Sequence, residues 1–200
     1  MSSASARTPR SQLATMADLL AIPEEERHHE VLDGEVVPKE VAGARHGLGQ
    51  TSAGSWVARR FSRQPNGPSR PGGWWVLSDV EIELAPHQIV RPDLAGWRRS
   101  RMAEVPDVYP LTLRPDWVCE IVNGADARRR DGVQKRRIYA DAGVPYYWLV
   151  DMQRQVLTVL RWTHAGYVEV QQAERHQRIR VEPFEAVELP VGVLFGEDDE

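Results

Sequence analysis

Apolar and polar positions change period several times along the chain, and the changes mark out short elements. Thr15 stands ahead of a short amphipathic run and predicts a capped helix to about Ala21, with Leu19 and Leu20 facing inward. The stretch His29 to Val37 reads as two short extended runs around Asp33-Gly34, the turn pair of a tight hairpin. From Ala44 to about Arg63, Leu48, Trp56, Val57 and Phe61 anchor a helix. Pro65-Asn66-Gly67-Pro68 and Pro71-Gly72-Gly73 punctuate the loop after it. Trp74 to Leu84 alternates as a strand, and Ile89 to Trp97 is a second extended piece interrupted by Pro92-Asp93. After a proline-rich loop, Asp116 to Val122 predicts a strand. Asp126 to Ala142 is the clearest helix, with Gly143 as its C′ residue. Tyr146 to Val150, Val156 to Trp162 and Tyr167 to Val170 read as consecutive strands. The class is α/β in the mixed, α+β sense, with a substantial antiparallel component.

The pattern contains no repeat and no linker long enough to divide domains, so residues 13–195 are expected to form one domain. Residues 1–12, rich in Ser, Ala and Arg, read as a disordered tail, and the acidic residues 196–200 as a frayed end. Hydrophobic residues make up 42% of the chain, enough for a real core. The single cysteine, Cys119, excludes an internal disulfide and makes a reducing cytoplasm the expected compartment. The N-terminal residues lack the apolar run of a secretory signal, and no stretch approaches the roughly 20 apolar residues of a membrane helix. The net charge of −4 speaks against a protein that coats nucleic acid nonspecifically, although local potential is a separate matter. The cations are nearly all arginine; Lys39 and Lys135 are the only lysines. An ammonium is a compact point charge where a guanidinium is a plane, so those two positions stand out.

Three places carry candidate chemistry. Alternation along Trp117-Val118-Cys119-Glu120-Ile121-Val122 puts Glu120 on one face between Val118 and Val122. A poorly hydrated carboxylate there takes a proton or finds a cation, unless that face meets solvent. Asp93 follows Pro92 where an extended run bends, and could point into a cleft or simply make a turn. Pro115-Asp116 repeats the same dipeptide, which shows how weak that signal is alone. On the helix, Asp131, Lys135 and Tyr139 share a face at i, i+4 and i+8; a surface ion pair is the plain alternative.

These pieces occur in one series. It runs His29-Glu30, Asp33-Gly34, Val90-Arg91-Pro92-Asp93-Leu94, the Glu120 strand, Asp131, Lys135 and Tyr139, then Gly143-Val144-Pro145-Tyr146-Tyr147-Trp148-Leu149-Val150-Asp151. In order and spacing the series resembles the Uma-type "putative restriction endonuclease" family of the PD-(D/E)XK nuclease superfamily, over roughly Leu13 to Val193. The resemblance implies a restriction-endonuclease-like mixed β-sheet flanked by helices, with a largely antiparallel C-terminal portion. It implies that Asp93 and Glu120 ligate Mg²⁺ or Mn²⁺, hard ions suited to oxygen donors. Such an ion polarises a phosphodiester and activates water. Lys135 would orient that water or stabilise charge on the phosphorane. The superfamily lysine lies two residues beyond the strand acid, where this chain has Val122. The resemblance therefore implies a lysine moved to the following helix, where Lys135 is the one available. Glu30 and His46 fall where the family often has a polar residue near the site. DNA is the implied substrate, and a homodimer the implied assembly, since two sites are needed to cut both strands at once. One departure is Asn123-Gly124, where the family commonly has a Ser-Pro turn.

Other signals carry less. Gly47-Leu48-Gly49 has only two glycines of a dinucleotide fingerprint and reads as helix flexibility or packing. No Cys/His zinc spacing exists, and Cys119 reads as a buried strand residue. The seven tryptophans read as core rather than a base-stacking platform, although Trp97 and Trp117 could lie near the cleft. Arg128 to Arg130 could grip phosphates or form a solvated face. Two further functions stay open at this point. One is a degenerate nuclease fold serving as a binding or assembly module; the other is a metal phosphoesterase acting on small nucleotides.

Overall fold

The computed structural model describes residues 13–39, 43–62 and 71–199. The expected tail at 1–12, Arg63 at the end of the second predicted helix, the Pro65-Asn66-Gly67-Pro68 turn and Glu200 lie outside the described residues. Helix α1 (Met16–Leu20) begins as the sequence implies: the Thr15 backbone N–H and hydroxyl both donate to Asp18 Oδ2, at 2.7 and 2.9 Å. The hairpin β1 (His29–Leu32) and β2 (Glu35–Pro38) turns at Asp33 and Gly34, both with positive φ, as a tight turn between twisted strands demands.

Helix α2 (Ala44–Phe61) turns Ala53, Trp56, Val57 and Phe61 inward. The alternation read as one strand over 74–84 is two strands in different sheets, β3 (Trp74–Ser78) and β4 (Ile82–Ala85). The reversal happens at Asp79, whose φ is 52°. The second extended piece also divides, into β5 (Gln88–Val90) and β6 (Leu94–Arg98), at Arg91-Pro92-Asp93. Period-two alternation reports which face a residue takes, not which sheet holds it, so both crossings are silent in the pattern.

Next come β7 (Trp117–Val122), α3 (Ala125–Arg129), a π-helical stretch (Arg130–Lys135), α4 (Arg136–Asp141) and β8 (Tyr146–Asp151). Strands β9 (Val156–Thr163) and β10 (Gly166–Glu174) form a long hairpin. Two short strands, β11 (Arg178–Ile179) and β12 (Leu189–Pro190), were not expected, being too short to show a period. A 3₁₀ turn (Val191–Phe195) closes the fold. Beyond it Glu197 pairs with Arg175 and Asp199 with Arg60, so the acidic end is held by arginines.

The larger sheet has the order β10-β9-β8-β7-β6-β3. Only β7 and β8 run parallel in it, joined by the helical crossover. The smaller sheet has the order β2-β1-β5-β4 and is antiparallel. All six residues of β7 are buried, which accounts for its near-continuous apolar run. Cys119 and Ile121 join the core layer of α2, Phe184 and the closing turn; Val118 joins the layer of Ile138, Tyr139 and Tyr147 on the other face. The fold is therefore the mixed sheet flanked by helices, with an antiparallel C-terminal part, that the resemblance implied. Trp97 and Trp117 are fully buried, so neither offers a stacking surface. Among the described residues no helix is long and apolar enough to cross a membrane.

Candidate active site

Strand β7 pairs with β6 through Leu94 and Cys119. One step further along that ladder, Asp93 stands across from Glu120. The bend at Pro92, where the chain leaves the small sheet for the large one, thus places Asp93 beside the buried strand acid. The Ile121 N–H donates to Asp93 Oδ2 at 2.7 Å. Asp116, another aspartate after a proline, accepts instead from the Arg98 N–H and from Arg101, and is structural.

The Glu120 side chain leaves β7 on the helical-crossover face, as alternation along the strand predicts. Lys135 Nζ donates to Glu120 Oε1 at 3.0 Å, and the Tyr139 hydroxyl donates to the same oxygen at 2.7 Å. Lys135 also lies 2.8 Å from Glu30 Oε1 and 3.8 Å from Asp131 Oδ1. This is not the surface pair that the helix spacing alone allowed, since the Lys135 side chain is 1% exposed. The π-helical stretch carries both Asp131 and Lys135 into the interior. Lys135 bridges the two sheets, taking Glu30 from β1 and Glu120 from β7. Glu30 is fixed in turn by the Arg91 N–H at 2.6 Å.

Asp93 has its own surroundings. His46 Nε2, from the first turn of α2, lies 3.0 Å from Oδ2, and Lys39 Nζ lies 2.9 Å from Oδ1. Lys39 also reaches Asp79 Oδ1 at 2.9 Å and the Arg91 carbonyl at 2.8 Å. One turn after His46, Gln50 donates to Asp79 Oδ2 at 2.6 Å and to the Asp93 carbonyl at 3.1 Å. Thus both lysines of the chain meet at one site. The rarity of lysine singled out Lys39, but nothing local assigned it here. Asp79 and Gln50 had no signal in the sequence.

Asp93, Glu120, Lys135, His46, Asp131 and Lys39 all face one cavity of about 240 Å³. Glu30 and Tyr139 sit behind it as supports. Arg130 lines the cavity too, whereas Arg128 pairs with Asp151 and Arg129 stays exposed beside Asp126.

The electrostatics divide the two acids. Burial pushes the Asp93 carboxyl up, but His46, Lys39 and the Ile121 N–H outweigh it and hold it well below the usual carboxylate range. Burial pushes Glu120 up as well, and the Asp131 and Asp93 charges act the same way. Lys135 opposes them only in part, leaving Glu120 at about 8. Three buried carboxylates, Glu30, Glu120 and Asp131, share the Lys135 ammonium, and Arg130 adds a cation at Asp131 alone, 3.2 Å away, so three acids face two cations. Glu120 Oε2 accepts no hydrogen bond from the described residues, and that oxygen is where a proton or a cation completes the balance. Burial lowers Lys135, but Glu120, Glu30 and Asp131 raise it further, so it is an ammonium at neutral pH. His46 is raised by its contact with the Asp93 carboxylate, against the pull of burial.

The donor set suits a hard cation. Asp93 and Glu120 offer oxygen from neighbouring strands, and Glu120 keeps one oxygen uncommitted. Among the described residues no group of three or more His, Cys, Asp or Glu is arranged to hold a metal alone.

The chain is similar to known proteins. The profile of the Uma2 family, described as "Putative restriction endonuclease", matches residues 16–192. A solved structure of a "putative nuclease belonging to DUF820" from Anabaena variabilis superposes with a TM-score of 0.71 at 19% identity, covering 90% of this chain and 97% of that one. At that identity the likeness establishes the fold. No curated protein matches the chain.

Proposed function

The chain belongs to the Uma2 family of restriction-endonuclease type, and from that premise we propose that it is a Mg²⁺- or Mn²⁺-dependent endonuclease hydrolysing phosphodiester bonds of DNA. The observation that carries this reading is the convergence of Asp93, Glu120 and Lys135, from three separate elements, on one cavity. Asp93 and Glu120 would hold the metal, which would supply Lewis acidity and lower the pKa of a water so that hydroxide is available to attack phosphorus. The chain's own groups have distinct tasks. The Ile121 N–H and His46 fix the Asp93 carboxylate. Tyr139 fixes Glu120 by its hydroxyl, leaving Oε2 toward the cavity. Lys135, locked by Glu30, stabilises the negative charge that builds on a phosphate as water adds and the P–O bond to the leaving group breaks. Arg130 and Lys39 add positive charge at the mouth for a polyanion. A homodimer would present two such sites to the two strands of a duplex.

Purified protein is expected to nick supercoiled plasmid with Mg²⁺ or Mn²⁺ and to stop on chelation. Glu120→Gln, which keeps the shape and the Tyr139 contact, is expected to lower the rate by at least about a hundredfold. Nicking by Glu120→Gln at the wild-type rate would remove Glu120 from the reaction. A second reading, a nuclease fold kept as a binding module, draws on the fact that both acids are already paired with the chain's own lysines. Absence of Mn²⁺ binding by a folded protein would select it.

A further inference from the structure

Lys39 does more than add positive charge at the mouth of the cavity. Its ammonium is equidistant from two carboxylates, 2.9 Å from Asp93 Oδ1 and 2.9 Å from Asp79 Oδ1. The two acids are unlike. The Asp93 side chain is 3% exposed, inside the cavity, while that of Asp79 is 40% exposed at its edge. Asp79 is nevertheless held in place, because Gln50 donates to its other oxygen at 2.6 Å. The Arg91 carbonyl, 2.8 Å away, gives the ammonium a third fixed partner outside the cavity.

We propose that Lys39 is a displaceable counter-ion of Asp93, covering that acid in the metal-free protein and withdrawing to Asp79 when a divalent cation binds. The inference rests on Asp93 being a metal ligand, as the nuclease reading has it. A buried, ionised aspartate needs compensating charge at all times. A metal supplies it only when bound; Lys39 supplies it otherwise. The short move leaves Lys39 paired with Asp79 and the Arg91 carbonyl, so no new buried charge is created. Lys135 has no such exit: its three acids are all buried, and it is the permanent cation of the site. The two lysines therefore divide the work, one fixed and one yielding.

Competition of this kind lowers metal affinity, and Asp79 lessens the competition. Mn²⁺ titration by calorimetry on the full chain, with folding checked by circular dichroism, tests both statements. Lys39→Met is expected to tighten Mn²⁺ binding about tenfold or more. Asp79→Asn, which removes the receiving carboxylate, is expected to weaken it several-fold. In the double variant the Asp79 effect should vanish, because no lysine remains to be received. That non-additivity is what a merely structural pair would not produce. Unchanged or weaker Mn²⁺ binding by Lys39→Met, or Asp79→Asn acting equally with and without Lys39, would overturn the proposal. Lys39→Gln serves in the same comparison if the methionine variant fails to fold. Asp93→Asn separates the two failures: if wild type binds Mn²⁺ and Asp93→Asn does not, the metal reading stands while the Lys39 inference alone is at risk. If wild type and Lys39→Met both bind none, the metal reading itself falls.

Discussion

Replacing Lys135 by Met removes the one ammonium that three buried carboxylates share. The side chains of Lys135, Glu30, Glu120 and Asp131 are 1–3% exposed, so water cannot take the lysine's place without local opening. Removing one partner of a buried ion pair costs about 3–5 kcal/mol, because the other charge stays behind uncompensated. At this chain length each kcal/mol is about 2–4 °C in Tm, so Lys135→Met is expected to melt about 6–20 °C below wild type near neutral pH. The sign of the pH dependence follows. Burial holds the Glu120 and Asp131 carboxyls above their unfolded values, the more so without Lys135, so the folded variant binds more protons than the unfolded chain. Its stability therefore falls as pH rises and recovers as pH is lowered through those raised values. Urea denaturation at about pH 8 and about pH 5 should show the deficit against wild type shrinking at the lower pH. Glu120→Gln on the Lys135→Met background should recover part of the loss, since it deletes one stranded charge and keeps an acceptor for Tyr139. A deficit below about 1 kcal/mol, the range of exposed pairs, or one equal at both pH values, would show that Lys135 does not neutralise these acids in the folded protein.

Helix α2 offers an opposed pair of glycine substitutions, measured by thermal melting. A Cβ at Gly47 meets nothing within 4 Å, so Gly47→Ala should stabilise by about 0.5–1 kcal/mol. A Cβ at Gly49 would lie 2.5 Å from Met152 Sδ and 2.9 Å from Ile121 Cγ2, so Gly49→Ala should destabilise despite its better helix propensity. Asp151 accepts from Arg128 Nε at 2.8 Å and from the Gln153 and Arg154 N–H groups. Burial raises its carboxyl, but Arg128 and those N–H groups outweigh it and hold it below the usual range. Its contribution is thus full above the unfolded carboxyl value and lost as pH falls through the folded one. Asp151→Asn should cost about 1–2 kcal/mol at neutral pH and little near pH ~3, by urea denaturation.

Much of the site was legible because it follows short-range rules. Alternation put Glu120 on its face of β7, and four-residue spacing put Asp131, Lys135 and Tyr139 on one helix face. The sequence also set Lys39 apart as a rare lysine. What remained hidden depends on where chain segments meet. Lys39 follows a hairpin of the small sheet, Asp79 lies at the crossing between β3 and β4, and Gln50 is on α2. Only the switch of strands between sheets brings them to Asp93. The same switches at Asp79 and at Arg91-Pro92-Asp93 divided two runs that alternation alone presents as continuous strands. Seeing Asp116 and Asp93 as equivalent before folding has the same cause: the dipeptide is local, and its neighbours are not.

The central claim is that Asp93 and Glu120 bind one divalent cation. The most direct measurement is anomalous diffraction from crystals grown with Mn²⁺. One strong anomalous peak is expected within bonding distance of a carboxylate oxygen of each residue. A crystal at saturating Mn²⁺ with no peak there, or with Mn²⁺ bound only elsewhere, would contradict it.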